Sequence, residues 1–398
     1  MRITALETTR LPERPNLIWV TIETDEGVSG LGETFFLAET VETFLHEHAA
    51  PRLMGRDPLA IGAIARGLTG YLGHRAPSVE TRGISAIDIA LWDLWGRATN
   101  QPIAQLLGGH ARRSVRTYNT CAGPGYIKEA AGQRTDNFGI GTHALDDLDA
   151  FLHRADELAS ELLEEGITAM KIWPFDAAAE RTGGLDIPPD EMRGALEPFE
   201  KIRRAVGDRM EVMVEFHSLW QLTPGMRIAR ALEPYRTYWH EDPIRMDSLA
   251  SLKRYAAASP APVCASETLA SRWAFRDLLE TEAAGIVMLD LAWCGGLSEA
   301  RTIAAMAEAW HLPIAPHDCT GPVVLAASTQ LSLHAPNAVF QESVRAFLRT
   351  WYRDLVREVP RVADGHIHPL SGPGHGCELL PDLDRGREVV RRRTDMRD

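Results

Sequence analysis

MEVMVEFH, residues 210–217, is an apolar run that stops on a carboxylate, Glu215, with a histidine two positions further on. The same shape recurs along the chain. Thr168 to Trp173, Tyr238 to Glu241, Val263 to Glu267, Ile286 to Leu291, Pro313 to His317 and Ala338 to Glu342 read as short buried strands. At or close to their ends stand Lys171, Glu241, Glu267, Asp290, His317 and Glu342, and from Glu215 onward the successive gaps are 26, 26, 23, 27 and 25 residues. One βα unit takes about that length, since an eight-unit barrel uses roughly 250 residues. Amphipathic helical windows at Asp190 to Ala205, Ser271 to Ala283 and Leu297 to Trp310 fill the intervals, so the order is βαβα. A doubly wound dinucleotide sheet would carry GxGxxG after an early strand, and the chain has none. The expected fold is α/β, a (β/α) barrel whose strand-end residues gather on the face where such barrels build active sites.

Toward the N-terminus the pattern changes. Leu17 to Thr24 reads as a strand, Asp25-Glu26-Gly27 as a hairpin turn, and Val28 onward as a second strand. Ser85 to Gly109 has helical period, with Ile84, Ile87, Leu91 and Trp95 on one stripe, a restart at Gln101-Pro102 and a stop at Gly108-Gly109. Residues 1–112 are therefore expected to form an α+β unit of their own, followed by a barrel over 113–360 and a C-terminal segment over 361–398.

The 398 residues are 45% hydrophobic, enough for a large core, and the formal charge is −13. That charge argues against nucleic acid or an anionic membrane as partner, so an acidic substrate must meet local positive charge. Five scattered cysteines with no CxxC pair fit reduced thiols. The opening MRITALETTRLPERP lacks the apolar run of a secretory signal, and no stretch reaches membrane-span length, which points to the cytoplasm.

Three carboxylates converging from successive strands would repel one another unless a cation lay between them, so Glu215, Glu241 and Glu267 are candidate metal ligands. Oxygen-only ligation selects a hard ion, Mg²⁺ first and Mn²⁺ as the nearest substitute. His240 adjoins Glu241 but points to the opposite face of its strand. Period two sets His217 beside Glu215 and Trp173 beside Lys171. Asp290 and His317 fall at matching height on neighbouring strands, where the carboxylate would fix the imidazole tautomer, making His317 the best general base. Removing a proton beside a carboxylate puts a second negative charge on its oxygens, which the metal and the Lys171 ammonium are placed to stabilise. His217 could then donate to a departing β-hydroxyl, with net loss of water.

At these residues the chain resembles the enolase superfamily, mandelate racemase subgroup, and within it the galactonate-type dehydratases. RLPERPNLIWVTIETDEG and SAIDIALWDLWG…QPIAQLLGG resemble the capping domain, and VEFH, EPYRTYWHEDP, MLD…GGLSEA, APHDCTGPV and NAVFQE resemble barrel strands. The resemblance implies a modified (β/α)₇β TIM-type barrel with an N-terminal α+β capping domain that the C-terminus rejoins. It implies the metal ligands Glu215, Glu241 and Glu267, the Asp290–His317 dyad, His217 as acid and Glu342 as the acid of the last functional strand. It further implies a small-molecule sugar acid as substrate, a homo-oligomer, and substrate contacts from Arg14, Asn16, Tyr71, His74 and Arg75, beside Trp173. The expected reaction is Mg-dependent dehydration of an aldonate-like acid to a 2-keto-3-deoxy acid. A racemase or epimerase, a lactone cycloisomerase and a non-catalytic binding protein are the alternatives. Four features depart from the pattern, one of them APHDCTGP where related dehydratases resemble APHCPLGP. The first ligand is Glu215 where the family has Asp, KIW replaces KxK so that Trp173 cannot act as a base, and an insertion spans about Gly123 to His143.

Overall fold

The computed structural model describes residues 1–70, 76–130 and 132–396. Strands β1 (Ile3–Leu11), β2 (Arg14–Thr24) and β3 (Ser29–Phe35) form an antiparallel meander. Its second turn closes at Gly27, whose φ of +74° suits glycine. The final strand, Val390–Asp395, pairs antiparallel with β1, so the chain ends on the sheet where it began. Helix α1 (Val79–Thr99) lies across this sheet. It starts six residues before the apolar stripe suggested, because the Ser78 hydroxyl accepts from Thr81 N and opens the helix through a polar first turn. Asn100, in the left-handed conformation at φ 53°, ends it.

The contact between β3 and α1 is backbone on backbone. A Cβ on Gly30 or Gly32 would overlap the carbonyl oxygens of Ala90 and Ala86. Glycine here is a packing requirement.

Parallel strands follow: β4 (Val115–Thr120), β5 (Ala169–Ile172), β6 (Glu211–Glu215), β7 (His240–Glu241), β8 (Val263–Ala265) and β9 (Ile286–Val287), each paired with the next. Parallel bridges Val287–Ile314 and Ile314–Ala338 carry the pairing onward to β10 (Gln341–Ser343), which pairs back with β4. Eight strand positions thus return to their start, with helices such as 189–206, 271–280 and 297–309 between them. β4 had no place among the apolar runs, since VRTYNT interleaves polar residues that face its neighbours.

The two-residue period stacks the barrel interior in layers. Tyr118, Ala169, Met213, Trp239, Met288, Ala315 and Phe340 belong to one buried apolar cluster. Two positions on from them stand Thr120, Lys171, Glu215, Glu241, Asp290, His317 and Glu342. These seven side chains therefore sit one layer above an apolar plug.

The segment after residue 360 does not go straight to the capping sheet. Arg361–Ala363 and His366–His368 form a hairpin that pairs with β4, and contact with the capping domain begins near Gly374, against Gly96 and Gln101. Among the described residues no helix is long and apolar enough to cross a membrane. All five cysteines are free.

Gly32→Ala is expected to lower stability by about 2 kcal/mol or more through backbone overlap. Gly62→Ala, in helix Ile61–Thr69, meets only the Arg66 guanidinium at 3.9 Å and should gain about 0.5–1 kcal/mol. Thermal unfolding of the two variants checks both signs.

Candidate active site

Glu215 is the last residue of β6, and one of its oxygens is held by the turn that follows. Oε1 accepts the backbone N–H groups of Phe216 at 2.9 Å and His217 at 2.6 Å. Glu241, the last residue of β7, accepts the Trp239 indole N–H at 2.9 Å. Glu267 lies two residues beyond β8. Carboxylate oxygens of these three residues converge to within 4.8 Å of one another. Lys171, at the barrel end of β5, places its ammonium 2.5 Å from Glu241, 2.8 Å from Glu342 and 3.5 Å from Glu215. The position expected to meet the substrate is thus also tied to the glutamates.

The electrostatics follow from burial. Desolvation pushes Glu215 up to about 7 and Glu241 well above the carboxylate range, with the Glu215 charge adding to the rise at Glu241. Glu267, despite its burial, is held down to about 2 by His317. Lys171 is raised well above its ordinary value against desolvation, by Glu241 and Glu342. One ammonium does not balance four carboxylates. The donor set is oxygen only, it converges on a point, and two of its members, Glu215 and Glu241, resist ionising together, which suits a hard divalent cation.

His317 and Asp290 meet as the spacing anticipates. Asp290 Oδ2 lies 2.7 Å from His317 Nδ1, while Asp290 Oδ1 accepts Ala292 N–H at 2.6 Å. His317 Nε2 is 2.7 Å from Glu267 and 3.9 Å from Glu342. Burial works against its protonation, but Glu267 and Glu342 raise it well above the usual imidazole range. Glu342 accepts Asp318 N–H at 2.8 Å and the Thr120 hydroxyl, and Lys171 and His317 hold it low in spite of burial.

Across the cavity stands a second dyad. Asp176 Oδ2 lies 2.7 Å from His217 Nδ1, and Asp176 is buried at the start of helix Asp176–Thr182. Desolvation opposes protonation of His217, and Asp176 outweighs it, raising the imidazole. His217 Nε2 reaches the Tyr126 hydroxyl at 3.4 Å. Sequence reasoning missed Asp176 because it belongs to a loop-to-helix junction, outside the strand-end period. Tyr126 was missed because it lies within the insertion. Trp173 packs against Tyr126, Phe151 and His217 with ring centroids 5.2, 5.2 and 5.8 Å apart. Both dyads, Lys171, Trp173, Glu267 and Glu342 border one cavity of about 150 Å³ through His217 and His317.

The capping-domain contacts turn out differently. Asn16 is buried, and its amide donates to the carbonyls of Ile127 at 3.0 Å and Glu129 at 2.8 Å. It holds the loop that forms the cavity wall and does not itself line the cavity. Arg14 stacks over the Trp351 ring at 4.3 Å in an adjoining recess. Tyr71, His74 and Arg75 lie outside the described residues.

With this geometry in view, comparison with known proteins is direct. Residues 5–108 match the family described as mandelate racemase/muconate lactonizing enzyme, N-terminal domain, and residues 154–383 match the enolase C-terminal domain-like family. The D-galactonate dehydratase of Klebsiella pneumoniae (strain 342) is 32% identical over 404 residues, covering 100% of this chain and 96% of that protein. The D-galactonate dehydratase of Pectobacterium atrosepticum is 31% identical over 390 residues, covering 96% and 93%. A solved enolase of the mandelate racemase subgroup from Agrobacterium tumefaciens is 63% identical with a TM-score of 0.89, covering 99% of each chain.

A divalent cation binding these glutamates stabilises the folded state by mass action. Adding Mg²⁺ or Mn²⁺ to chelator-treated protein is expected to raise Tm by several degrees, and Glu215→Ala or Glu267→Ala to abolish that rise. A calorimetric scan with and without the ion decides it.

Proposed function

The chain belongs to the enolase superfamily, mandelate racemase subgroup, and from that membership we propose that it is a Mg²⁺-dependent dehydratase of a sugar acid, an aldonate or related polyhydroxy acid, giving the 2-keto-3-deoxy acid. The observation that carries the reading is the pair of Asp–His dyads facing one cavity, His317 with Asp290 and His217 with Asp176. Elimination of water needs one group to take the α-proton and another to give a proton to the departing β-hydroxyl.

Asp290 holds the Nδ1 side of His317, and Nε2, which faces Glu267 at 2.7 Å, would be freed to take the α-proton once a cation engages that carboxylate. A divalent cation on Glu215, Glu241 and Glu267 would supply the positive charge that steadies the substrate carboxylate as it gains a second negative charge. Lys171, between Glu241 and Glu342, adds a fixed ammonium to the same side of the cavity. His217, its imidazole raised by Asp176, presents Nε2 for donation to the hydroxyl. Tyr126, Trp173 and Trp293 wall the cavity and limit water around the reacting carbons. The enol left after water departs tautomerises to the keto acid.

Incubation with Mg²⁺ and a panel of aldonates, aldarates and shorter 2,3-dihydroxy acids should yield a 2-keto acid from at least one member; silence across the panel sinks the reading. His317→Asn is expected to abolish both dehydration and α-proton exchange in heavy water. His217→Asn should lower dehydration by roughly 10²–10⁴-fold while α-proton exchange persists. Asp176→Asn should follow His217→Asn in direction with a smaller loss. Wild-type exchange without loss of water would instead assign an epimerase.

A further inference from the structure

Resting on the dehydratase reading, we propose that Tyr126 is a catalytic residue for the loss of water: its hydroxyl donates a hydrogen bond to the β-oxygen while that oxygen takes the proton of His217 Nε2 and departs. The Tyr126 oxygen lies 3.4 Å from His217 Nε2, and both residues border the cavity. Gln133 donates to the same oxygen at 2.7 Å, so the hydroxyl hydrogen is aimed elsewhere. Asp176 occupies the other ring nitrogen of His217, which makes Nε2 the atom that gives up the proton. A nitrogen carrying that proton cannot accept the Tyr126 hydrogen. The departing oxygen can, because it must come within about 3 Å of Nε2 to be protonated, and Tyr126 stands beside that nitrogen.

In this step the Cα–H electron pair becomes the second bond between Cα and Cβ, and the Cβ–O pair goes to the oxygen. His317 holds the α-proton, His217 gives one up, and the products are water and the enol. Negative charge builds on the oxygen as the C–O bond stretches. A second donor aimed at that oxygen is therefore worth more in the transition state than in the bound acid. Tyr126 transfers no proton and keeps its hydroxyl.

The chain builds a support for this hydroxyl. Tyr126 belongs to the insertion, yet it is buried, and its ring packs on Phe138 and Trp173 with centroids 5.5 and 5.2 Å away. Its N–H donates to the Gly123 carbonyl at 3.1 Å, and Ile127 N–H donates to the Asn137 carbonyl at 2.9 Å. The Asn137 side chain closes the loop on the backbone of Glu129 and Gly132. Asn16 reaches from the capping sheet to the carbonyls of Ile127 and Glu129. On the barrel side Glu180 accepts Thr135 N–H at 2.8 Å, and Glu180 belongs to helix Asp176–Thr182, whose first residue is the partner of His217. One helix thus positions both neighbours of the imidazole, Asp176 directly and Tyr126 through the insertion. A wall that only kept out water would need the ring alone; the Gln133 amide orients the oxygen as well.

The experiment measures dehydration and α-proton exchange in heavy water, with Mg²⁺, on galactonate and the other aldonates, aldarates and shorter 2,3-dihydroxy acids. It compares wild type, Tyr126→Phe, His217→Asn and the double variant. Tyr126→Phe keeps the ring and is expected to lower dehydration about ten- to a hundredfold while α-proton exchange persists. Added to His217→Asn, it is expected to cost about a further tenfold or more, since the hydroxyl acts on the oxygen itself. Unchanged dehydration in Tyr126→Phe overturns the proposal. So does an equal loss of dehydration and exchange, which would make the residue a wall, and so does an effect that vanishes beside His217→Asn, which would make it act only through the imidazole. Each of these leaves the dehydratase reading standing. A wild type that forms no 2-keto acid from any of these acids removes the dehydratase reading itself, and this inference with it.

Discussion

Four glutamates are held at the mouth of a barrel whose interior is filled with apolar side chains, and the balance of their charge governs everything around them. Tyr118, Met213, Trp239 and Phe340 close the space beneath, so Glu215, Glu241, Glu267 and Glu342 cannot be relieved from below. Charges at this separation interact by several kcal/mol even at an effective dielectric constant of about 20. The chain answers with three cationic groups, Lys171, His217 and His317, all raised above their ordinary values by the acids they face. The deficit that remains is local to Glu215 and Glu241, where the two carboxyls resist ionising together. A divalent ion placed there completes the balance, which ties the metal site and the dyads to one electrostatic constraint.

The capping domain is fastened to the same region through buried polar contacts. Glu33, on β3, accepts the Trp19 indole N–H at 2.7 Å and the backbone N–H groups of Val323 and Val324 at 3.1 and 2.9 Å, at the start of helix Pro322–His334. Gly321 is required beside it, because a Cβ there would run into the Glu33 carboxyl. Thr34 donates to the Ala292 carbonyl at 2.8 Å, and Arg82 donates to the Phe35 carbonyl at 2.8 Å while stacking 4.8 Å from the Trp293 ring. Docking of the sheet therefore fixes Phe35, Phe36 and Trp293 as a unit. The cavity wall made by these rings and the loop that carries Asp290 are positioned by the same bonds.

What the sequence made legible was whatever obeys a period. Strand-end residues spaced by one βα unit had to come together, and period two separated His240, which bonds to Tyr255 at 2.8 Å on the outer side, from Glu241 on the inner side. Asp176 and Tyr126 obey no period, since a helix junction and an insertion place them, and only the folded chain shows that both reach His217. Asn16 illustrates the opposite difficulty. Family resemblance put it near the substrate, yet it lies behind the cavity wall and its amide is spent on the backbone of residues 127 and 129. Proximity could be inherited from the pattern; the direction of one amide group could not.

The substitution of Glu for Asp at the first ligand becomes intelligible in the same terms. An aspartate at position 215 could offer its oxygens to a cation with little reach to spare. The additional methylene lets Oε1 of Glu215 fold back onto the N–H groups of Phe216 and His217, leaving Oε2 toward Lys171 and the other carboxylates. His217 takes a left-handed φ of 47° at that turn, and the backbone bond to Glu215 holds it there. From that position its ring meets Asp176 on one side and the cavity on the other. On the dehydratase reading the longer side chain would do two tasks at once, offering an oxygen to the cation and orienting His217 toward the cavity. On that reading, shortening it would disturb the His217 turn as well as the cation site, and a single side chain would couple the two.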